Sequence, residues 1–154
     1  MIPILYTDSD RALGVTGLTP DDINDEFIVA RDLLRTLSVD LFTWLPSHAL
    51  VFVPPGTSTT DLLQFQSDCL VLYCTHFCAS KIVHAILSIY SKETDGKNAY
   101  ERLGNTDLTA LHEETRKQAG YYREQLLASL KATNAAVSVT QFSISTPSYD
   151  PVTG

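Results

Sequence analysis

The longest apolar stretch of the chain lies between Asp61 and Tyr90. From Cys69 to Tyr90, 16 of 22 residues are apolar, and neither Gly nor Pro interrupts them. Four polar residues recur here at every fourth position, which on a helix places them along one narrow seam: His76, Ser80, His84 and Ser88. The pattern predicts a single long helix that is buried on most sides.

This helix is long for a protein of this size. Thirty residues make a helix of roughly 45 Å, whereas a compact chain of 154 residues is about 38 Å across. We therefore expect an elongated protomer whose central helix is partly covered by neighbouring copies.

A second helical pattern runs from Thr19 to Leu45. Thr19 can cap the helix, Pro20 suits its first position, and Pro46 predicts its end. Apolar residues follow at alternating spacings of four and three, which gives one stripe: Ile23, Phe27, Ala30, Leu34, Leu37 and Leu41. The first turns carry four acids, which favour the positive end of the helix dipole: Asp21, Asp22, Asp25 and Glu26. These acids either form a solvated face or line a channel shared between copies.

A third long helix is predicted to start at Thr106 or Asp107. Its stripe again follows helical spacing: Leu108, Leu111, Thr115, Ala119, Tyr122, Leu126 and Leu130. Gly120 lies in the middle of this pattern, where Gly weakens a helix by about 1 kcal/mol relative to Ala. Its small size would let another backbone approach.

The segments between these helices are shorter and less regular. We expect Met1–Leu18 to form a short extended arm followed by a loop, or else a frayed terminus. Ala49–Val53 is apolar and is predicted to be a strand or an extended linker that closes at Pro54-Pro55-Gly56. Thr94-Asp95-Gly96 is a turn signal.

The pattern changes after Asn134, because apolar and polar residues then alternate. Val137 and Val139 alternate with Ser138 and Thr140, and Phe142 and Ile144 alternate with serines. This alternation predicts extended, β-prone structure. An exposed strand edge is seldom left bare, so we expect the segment to pair with a partner, with a disordered terminus as the alternative.

Together, these patterns predict a mainly α-helical fold. It is an elongated bundle of three long helices with a short N-terminal arm and an extended, β-prone C-terminal tail. Residues 1–134 would form the helical domain, including the extended arm at 1–18, and residues 135–154 would form the tail. A length of 154 residues and an apolar fraction of 44% fit one folded domain.

The charge of the chain is unevenly distributed. The net charge of −7 comes from residues 1–80, which hold ten acids against Arg11, Arg31 and Arg35, whereas residues 81–154 are neutral overall. An acidic half repels phosphate, which disfavours groove or backbone binding of nucleic acid. It remains compatible with a passage through which DNA slides without being held.

The compartment is indicated by the apolar helix and by the cysteines. The N-terminus lacks a signal peptide pattern, and Lys81 inside the apolar helix disfavours a membrane span. Cys69, Cys74 and Cys78 share one helix, which is not a disulfide framework. We expect a protein made in a reducing cytoplasm, with no membrane partner.

No motif in the chain predicts catalysis, a metal or a cofactor. Cys74, His76 and Cys78 cannot converge on a metal, because His76 points about 200° away from Cys74 around a helix. A cysteine paired with His112 would be a poor nucleophile, since a thiol in an apolar helix should have a raised pKa. Ser47-His48 lacks a nucleophile elbow, and no Gly-rich phosphate loop is present. We expect His76 and His84 to be core or interface histidines, and the protein not to be an enzyme.

The order of helices, loops and tail along the chain resembles that of the head-to-tail adaptor (connector) proteins of tailed bacteriophages. The features that carry the likeness span residues 19–154: the acidic helix Thr19–Leu45, the Pro54-Pro55-Gly56 loop, the apolar helix Asp61–Tyr90, the Thr94-Asp95-Gly96 turn with Tyr100-Glu101-Arg102, the helix through Tyr121-Tyr122, and the extended tail.

This resemblance implies a structural protein of the virion neck. Its copies would form a ring, commonly of twelve, that joins the portal protein to a stopper or tail protein and lines the DNA exit channel without binding DNA specifically. The tail would bind the portal or a neighbouring copy through Val137, Val139, Phe142, Ile144 and Tyr149. The acids Asp21, Asp22, Asp25 and Glu26 would be candidates to line the channel.

Three other functions stay open from the sequence. One is a tail-completion or terminator protein that contacts the tail tube. A second is a non-viral helical module that binds a partner through the Ile23–Leu41 stripe. The third is a cysteine enzyme.

Overall fold

The computed structural model describes residues 6–18, 31–90 and 107–144, and for 9, 31–32, 88–90 and 134–144 it describes the backbone alone. Within these ranges 79% of the residues are helical and none forms a strand. The helices in these ranges are α1 (Ser9–Gly14), α2 (Arg31–Trp44), α3 (His48–Val51), α4 (Asp61–Tyr90) and α5 (Leu108–Ile144). The predicted mainly helical class is confirmed.

Helices α4 and α5 pack closely as an antiparallel pair. Gln66 Nε2 donates to Thr133 Oγ1 at 3.3 Å, and the His76 ring stacks on Tyr122 with centroids 5.6 Å apart. Between these two contacts the residue number rises along α4 and falls along α5. Continued to the start of α4, this register places Asp61 level with about residue 137. Helix α5 therefore extends past the start of α4 by about 10 Å.

The core is built around α4, because α1, α2, α3 and α5 all pack against it. The most completely buried large side chains include Tyr6, which precedes α1, and residues of three helices: Leu37 and Leu41 of α2, Leu70, Cys74 and Val83 of α4, and Leu126 of α5. Of the predicted α2 stripe, Leu37 and Leu41 lie in this core and Leu34 does not, whereas the α5 stripe packs into or against the core from Leu108 to Leu130. Ile23, Phe27 and Ala30 lie outside the described residues.

Local capping explains where the long helices begin. The side chain of Asp107 accepts from the backbone N–H of Thr109 (3.1 Å) and of Ala110 (3.0 Å), which starts α5 at Leu108. Thr60 Oγ1 accepts from Leu63 N at the start of α4. The turn before α4 has Gly56 at φ 81°, a conformation that favours glycine, and Thr57 N donates to Pro54 O.

The predicted N-terminal arm is wrong for residues 6–18, which fold into the core. Asp8 caps α1 by accepting from Arg11 N at 2.8 Å, and the side chains of Tyr6, Ala12 and Leu13 are buried. Thr75 on α4 donates to Thr7 at 3.1 Å, which attaches the segment to the central helix. Residues 1–5 lie outside the described residues.

Two other segments also differ from the prediction. His48–Val51 forms one helical turn and not a strand, although Phe52 after it is extended. Helix α5 continues through Ile144, so the extended conformation predicted for 135–144 is wrong. No Gly or Pro occurs between Tyr121 and Thr146, and extending an existing helix adds one hydrogen bond per residue fixed. Residues 145–154 lie outside the described part of the chain.

Helix α4 also meets the criteria of a membrane-spanning helix by length and composition, over Asp61–Leu87. In its most apolar window, 56% of the residues are buried inside the protein. The core helix of a soluble protein passes the same test. The expectation that the protein has no membrane partner stays a prediction.

Candidate functional site

A cleft of about 500 Å³ lies between α2, α4 and α5. Asp40 of α2 lies at one end of it. The other lining residues include Tyr73, Phe77, Lys81 and His84 of α4 and His112, Arg116, Gly120 and Arg123 of α5. The cleft therefore forms only when three separate parts of the chain pack together.

Helical spacing places these residues on two facing surfaces. On each helix the lining positions follow one another at spacings of three and four, which is one face of a helix. The antiparallel register then brings Lys81 to about the level of Arg116. At His76 and His84 the polar seam predicted on α4 faces α5, because the His76 ring stacks on Tyr122 and the His84 ring lies beside that of His112.

The Asp40 end of the cleft is a hydrogen-bonded aromatic cluster. Asp40 Oδ2 accepts from Trp44 Nε1 at 3.0 Å and from the Tyr73 hydroxyl. Burial, together with the hydrogen bond to the Asp40 carboxylate, raises the pKa of Tyr73 well above its usual 10.0. The Arg123 guanidinium lies 5.0 Å from the Trp44 ring centroid, and the Trp44 and Tyr73 rings meet edge to face.

The middle of the cleft is open. Apart from its own helical turn, no atom of the described residues lies within 4 Å of the position that a Cβ on Gly120 would occupy. The sequence suggested that Gly120 admits another backbone, but no such contact is present in the described part of the chain. Instead, the missing side chain leaves space opposite α4, where Lys81 Nζ lies 5.4 Å from the Phe77 ring centroid.

The cleft is positively charged although the protein is acidic. Lys81, Arg116 and Arg123 line it against one carboxylate, that of Asp40. No carboxylate of the described residues lies within 4.0 Å of the charged nitrogens of these three side chains. Two of the three cations contact aromatic rings instead. The arrangement is suited to holding an anion.

Two histidines close the other end of the cleft. His112 Nδ1 donates to the carbonyl oxygen of Ser80 at 3.0 Å, which fixes the ring and leaves Nε2 as its second polar atom. The rings of His84 and His112 have centroids 5.3 Å apart.

The three cysteines are buried in α4. Burial raises the pKa of the Cys78 thiol to about 12 and raises those of Cys69 and Cys74 as well. The raised thiol pKa expected from the sequence is therefore confirmed. A protonated, buried thiol is a poor nucleophile.

Other residues singled out from the sequence are not brought together. Ser47 is exposed, whereas His48 is buried and its Nδ1 forms a hydrogen bond of 2.9 Å with the Tyr6 hydroxyl. Among the residues that the structure describes, no three His, Cys, Asp or Glu side chains are placed to hold a metal ion.

The tail and channel residues predicted from the sequence fall into two groups. The backbone at Val137, Val139, Phe142 and Ile144 belongs to α5, with no side chain described. Tyr149, Asp21, Asp22, Asp25 and Glu26 all lie outside the described ranges. Their proposed contacts stay predictions.

His48 is buried and His76 is half-buried, and for this reason we expect the stability of the protein to depend on pH. Burial lowers the pKa of His48 and of His76 below the usual 6.5, and Glu114 partly opposes the shift at His76. As pH falls through 6.5, the unfolded chain therefore binds protons before the folded protein does. The free energy of unfolding should be highest above that pH and should decline as pH falls toward the folded-state pKa values.

Urea denaturation at several pH values between 5.5 and 7.5 would measure this decline. The double variant His48→Leu, His76→Leu should show a flatter dependence on pH, whatever its absolute stability. A slope as steep as that of the wild type would contradict the assignment to these two rings.

The described residues that line the cleft offer cations, two imidazoles and aromatic rings, and none of them is an activated nucleophile. What it can do chemically is bind and orient an anionic group. Comparison of the chain with protein-family models, with curated proteins and with solved structures found no match in any of the three.

Proposed function

We propose that the protein is a structural adaptor of a phage neck, which joins the portal to the stopper or tail as a ring of about twelve copies. The observation that carries this proposal is a set of large apolar side chains left exposed on the outside of a helical protomer. Exposed apolar side chains of this kind support the proposal that other copies and partners cover this surface.

The exposed apolar side chains occur in pairs on single helix faces. On α2, Val39 is 61% exposed and Phe42 is 60% exposed. On α4, Leu62 and Phe65 are 49% and 46% exposed. In each pair the residues are three apart, so they share a face. The side chain of Leu50 on α3 is 80% exposed as well.

The finer architecture is part of the same proposal. A helix that begins near Thr19 and continues through α2 would be the third member of an elongated bundle with α4 and α5. The end of α5, which extends beyond the start of α4, would begin the tail that reaches the portal. Its proposed contacts are Val137, Val139, Phe142, Ile144 and Tyr149.

The channel would be lined by the acidic part of the chain. In this proposal Asp21, Asp22, Asp25 and Glu26 face a shared lumen, where negative charge lets DNA pass without being retained. No cofactor and no catalytic step are needed, because the protein acts by assembly.

Native mass spectrometry of the purified full chain, with light scattering, tests the proposal. We expect a closed oligomer of about twelve copies for the wild type. The double variant Val39→Asp, Phe42→Asp should stay folded by circular dichroism and become monomeric, because two buried unpaired charges would oppose the contact.

Ala128→Asp is the control, since it places the same negative charge at an exposed position of α5 that carries no large apolar side chain. This variant should assemble like the wild type. A wild-type protein that stays monomeric at high concentration would overturn the ring and would favour the partner-binding module.

A further inference from the structure

We propose that the cleft between α2, α4 and α5 is a binding site for a small organic phosphate. Its phosphate group would lie between Lys81 and Arg116, and a flat apolar group would lie over Phe77 and Gly120. This site is independent of the assembly proposed above, since none of the residues used in that assembly test lines the cleft.

The first argument is the placement of the cations. Lys81 and Arg116 lie at about the same level on facing helices, and no carboxylate of the described residues is within 4.0 Å of either charge. Like charges held opposite each other repel, and an anion between them removes that repulsion. The planar fork of an arginine and the point charge of a lysine are both common phosphate ligands.

The second argument is the shape of the cleft. Its volume of about 500 Å³ lies within the range of about 300–1,000 Å³ that is typical of small-molecule sites. Gly120 keeps the middle open inside a 37-residue helix, although Gly is a poor helix former. The aromatic rings of Phe77 and Tyr73 on α4 provide a wall against which a flat apolar group can pack.

The third argument concerns which anion fits. A phosphate monoester has three acceptor oxygens and a charge near −2 at neutral pH, which matches separate donors better than a single carboxylate does. Arg123 is seven residues from Arg116, which is roughly 10 Å along α5, so it can contact the far end of the ligand. A long polyanion such as DNA is disfavoured, because the net charge of −7 repels it.

Isothermal titration calorimetry with adenosine monophosphate, at low salt, tests the proposal. We expect saturable binding by the wild type, weaker binding of inorganic phosphate, and no detectable binding of adenosine. Arg116→Gln and Lys81→Gln should each weaken binding of the monophosphate about ten-fold or more, since each removes a charged hydrogen-bond donor. The matched control is Lys117→Gln, an exposed position beside Arg116 that does not line the cleft, and it should bind like the wild type.

Gly120→Leu separates the shape argument from the charge argument. This variant keeps every charge, improves the helix and fills the open space. It should unfold at the same urea concentration as the wild type or higher, lose binding of adenosine monophosphate and keep weak binding of inorganic phosphate.

Three results would overturn the proposal. The first is no heat of binding with adenosine monophosphate at millimolar concentration. The second is equal affinity in the wild type, Arg116→Gln and Gly120→Leu. The third is binding of DNA oligonucleotides that depends on Lys81 and Arg116 when the monophosphate does not bind, which would identify a polyanion surface instead.

Discussion

Replacing Leu126 by Ala is expected to lower the free energy of unfolding by about 3–5 kcal/mol. The Leu126 side chain on α5 is fully buried in the core cluster, at 0% exposure. Truncation removes apolar contacts and leaves a cavity at the pairing of two long helices, where neighbouring backbone cannot easily collapse into the space. Urea denaturation followed by circular dichroism gives the difference in unfolding free energy.

Leu62→Ala provides the control for this prediction. The same side chain is truncated on the partner helix α4, at a position that is 49% exposed. Its loss should be no more than about 1 kcal/mol, because less apolar surface returns to water. Similar losses for both variants would contradict a core centred on the α4–α5 pair.

Replacing Asp40 by Ala is expected to have the second largest effect, a loss of about 2–3 kcal/mol. One carboxylate oxygen accepts hydrogen bonds from both Trp44 and Tyr73. The variant leaves two donors without their acceptor, and the Tyr73 side chain is buried. Removing the negative charge should also lower the pKa of Tyr73, since the neighbouring carboxylate helps to raise it.

Denaturation measures the first effect, and NMR titration of ¹³C-labelled tyrosine measures the second. Asp68→Ala is the control, because the Asp68 carboxylate is exposed and accepts only from Gln64 Nε2 among its described contacts, at 2.8 Å. This change should cost less than about 0.5 kcal/mol. If Asp40→Ala leaves the Tyr73 titration unchanged, the carboxylate is not a cause of the shift.

The long helices could be predicted from the sequence because their signals are local. The start of α5 follows from the side chain of Asp107, and the end of α2 follows from Pro46. The buried stripe from Thr115 to Leu126 follows from helical spacing alone. These features depend on residues within one or two turns of one another.

Helix α1 and the end of α5 were mispredicted for opposite reasons. Six residues are too few to form a stable helix alone, so α1 depends on Tyr6 and Leu13 packing against distant parts of the chain. In 135–144, the alternation of apolar and polar residues predicts a strand, but the preference of residues for strands depends strongly on context. Here the segment follows a helix directly, and no Pro or Gly ends that helix, so the helix continues through it.

The cationic cleft could not be found from the sequence. Lys81 and Arg116 are far apart in the chain, and only the register of α4 against α5 makes them neighbours. The negative net charge of the chain argues against anion binding. A net charge is a sum over the whole chain, however, and it does not show a local excess of positive charge. Arg116 and Arg123, seven residues apart, were the one local signal that two cations share a helix face.

The burial of all three thiols in one helix has a practical consequence. Cys69, Cys74 and Cys78 are each at most 4% exposed, so an alkylating reagent reaches them only when α4 separates from its neighbours. The rate of labelling then measures how often the central helix opens. Equal rates at the three cysteines would indicate that α4 separates as a unit, and unequal rates would indicate that it separates from one end. The three native thiols can therefore report the opening of the core without any introduced label site.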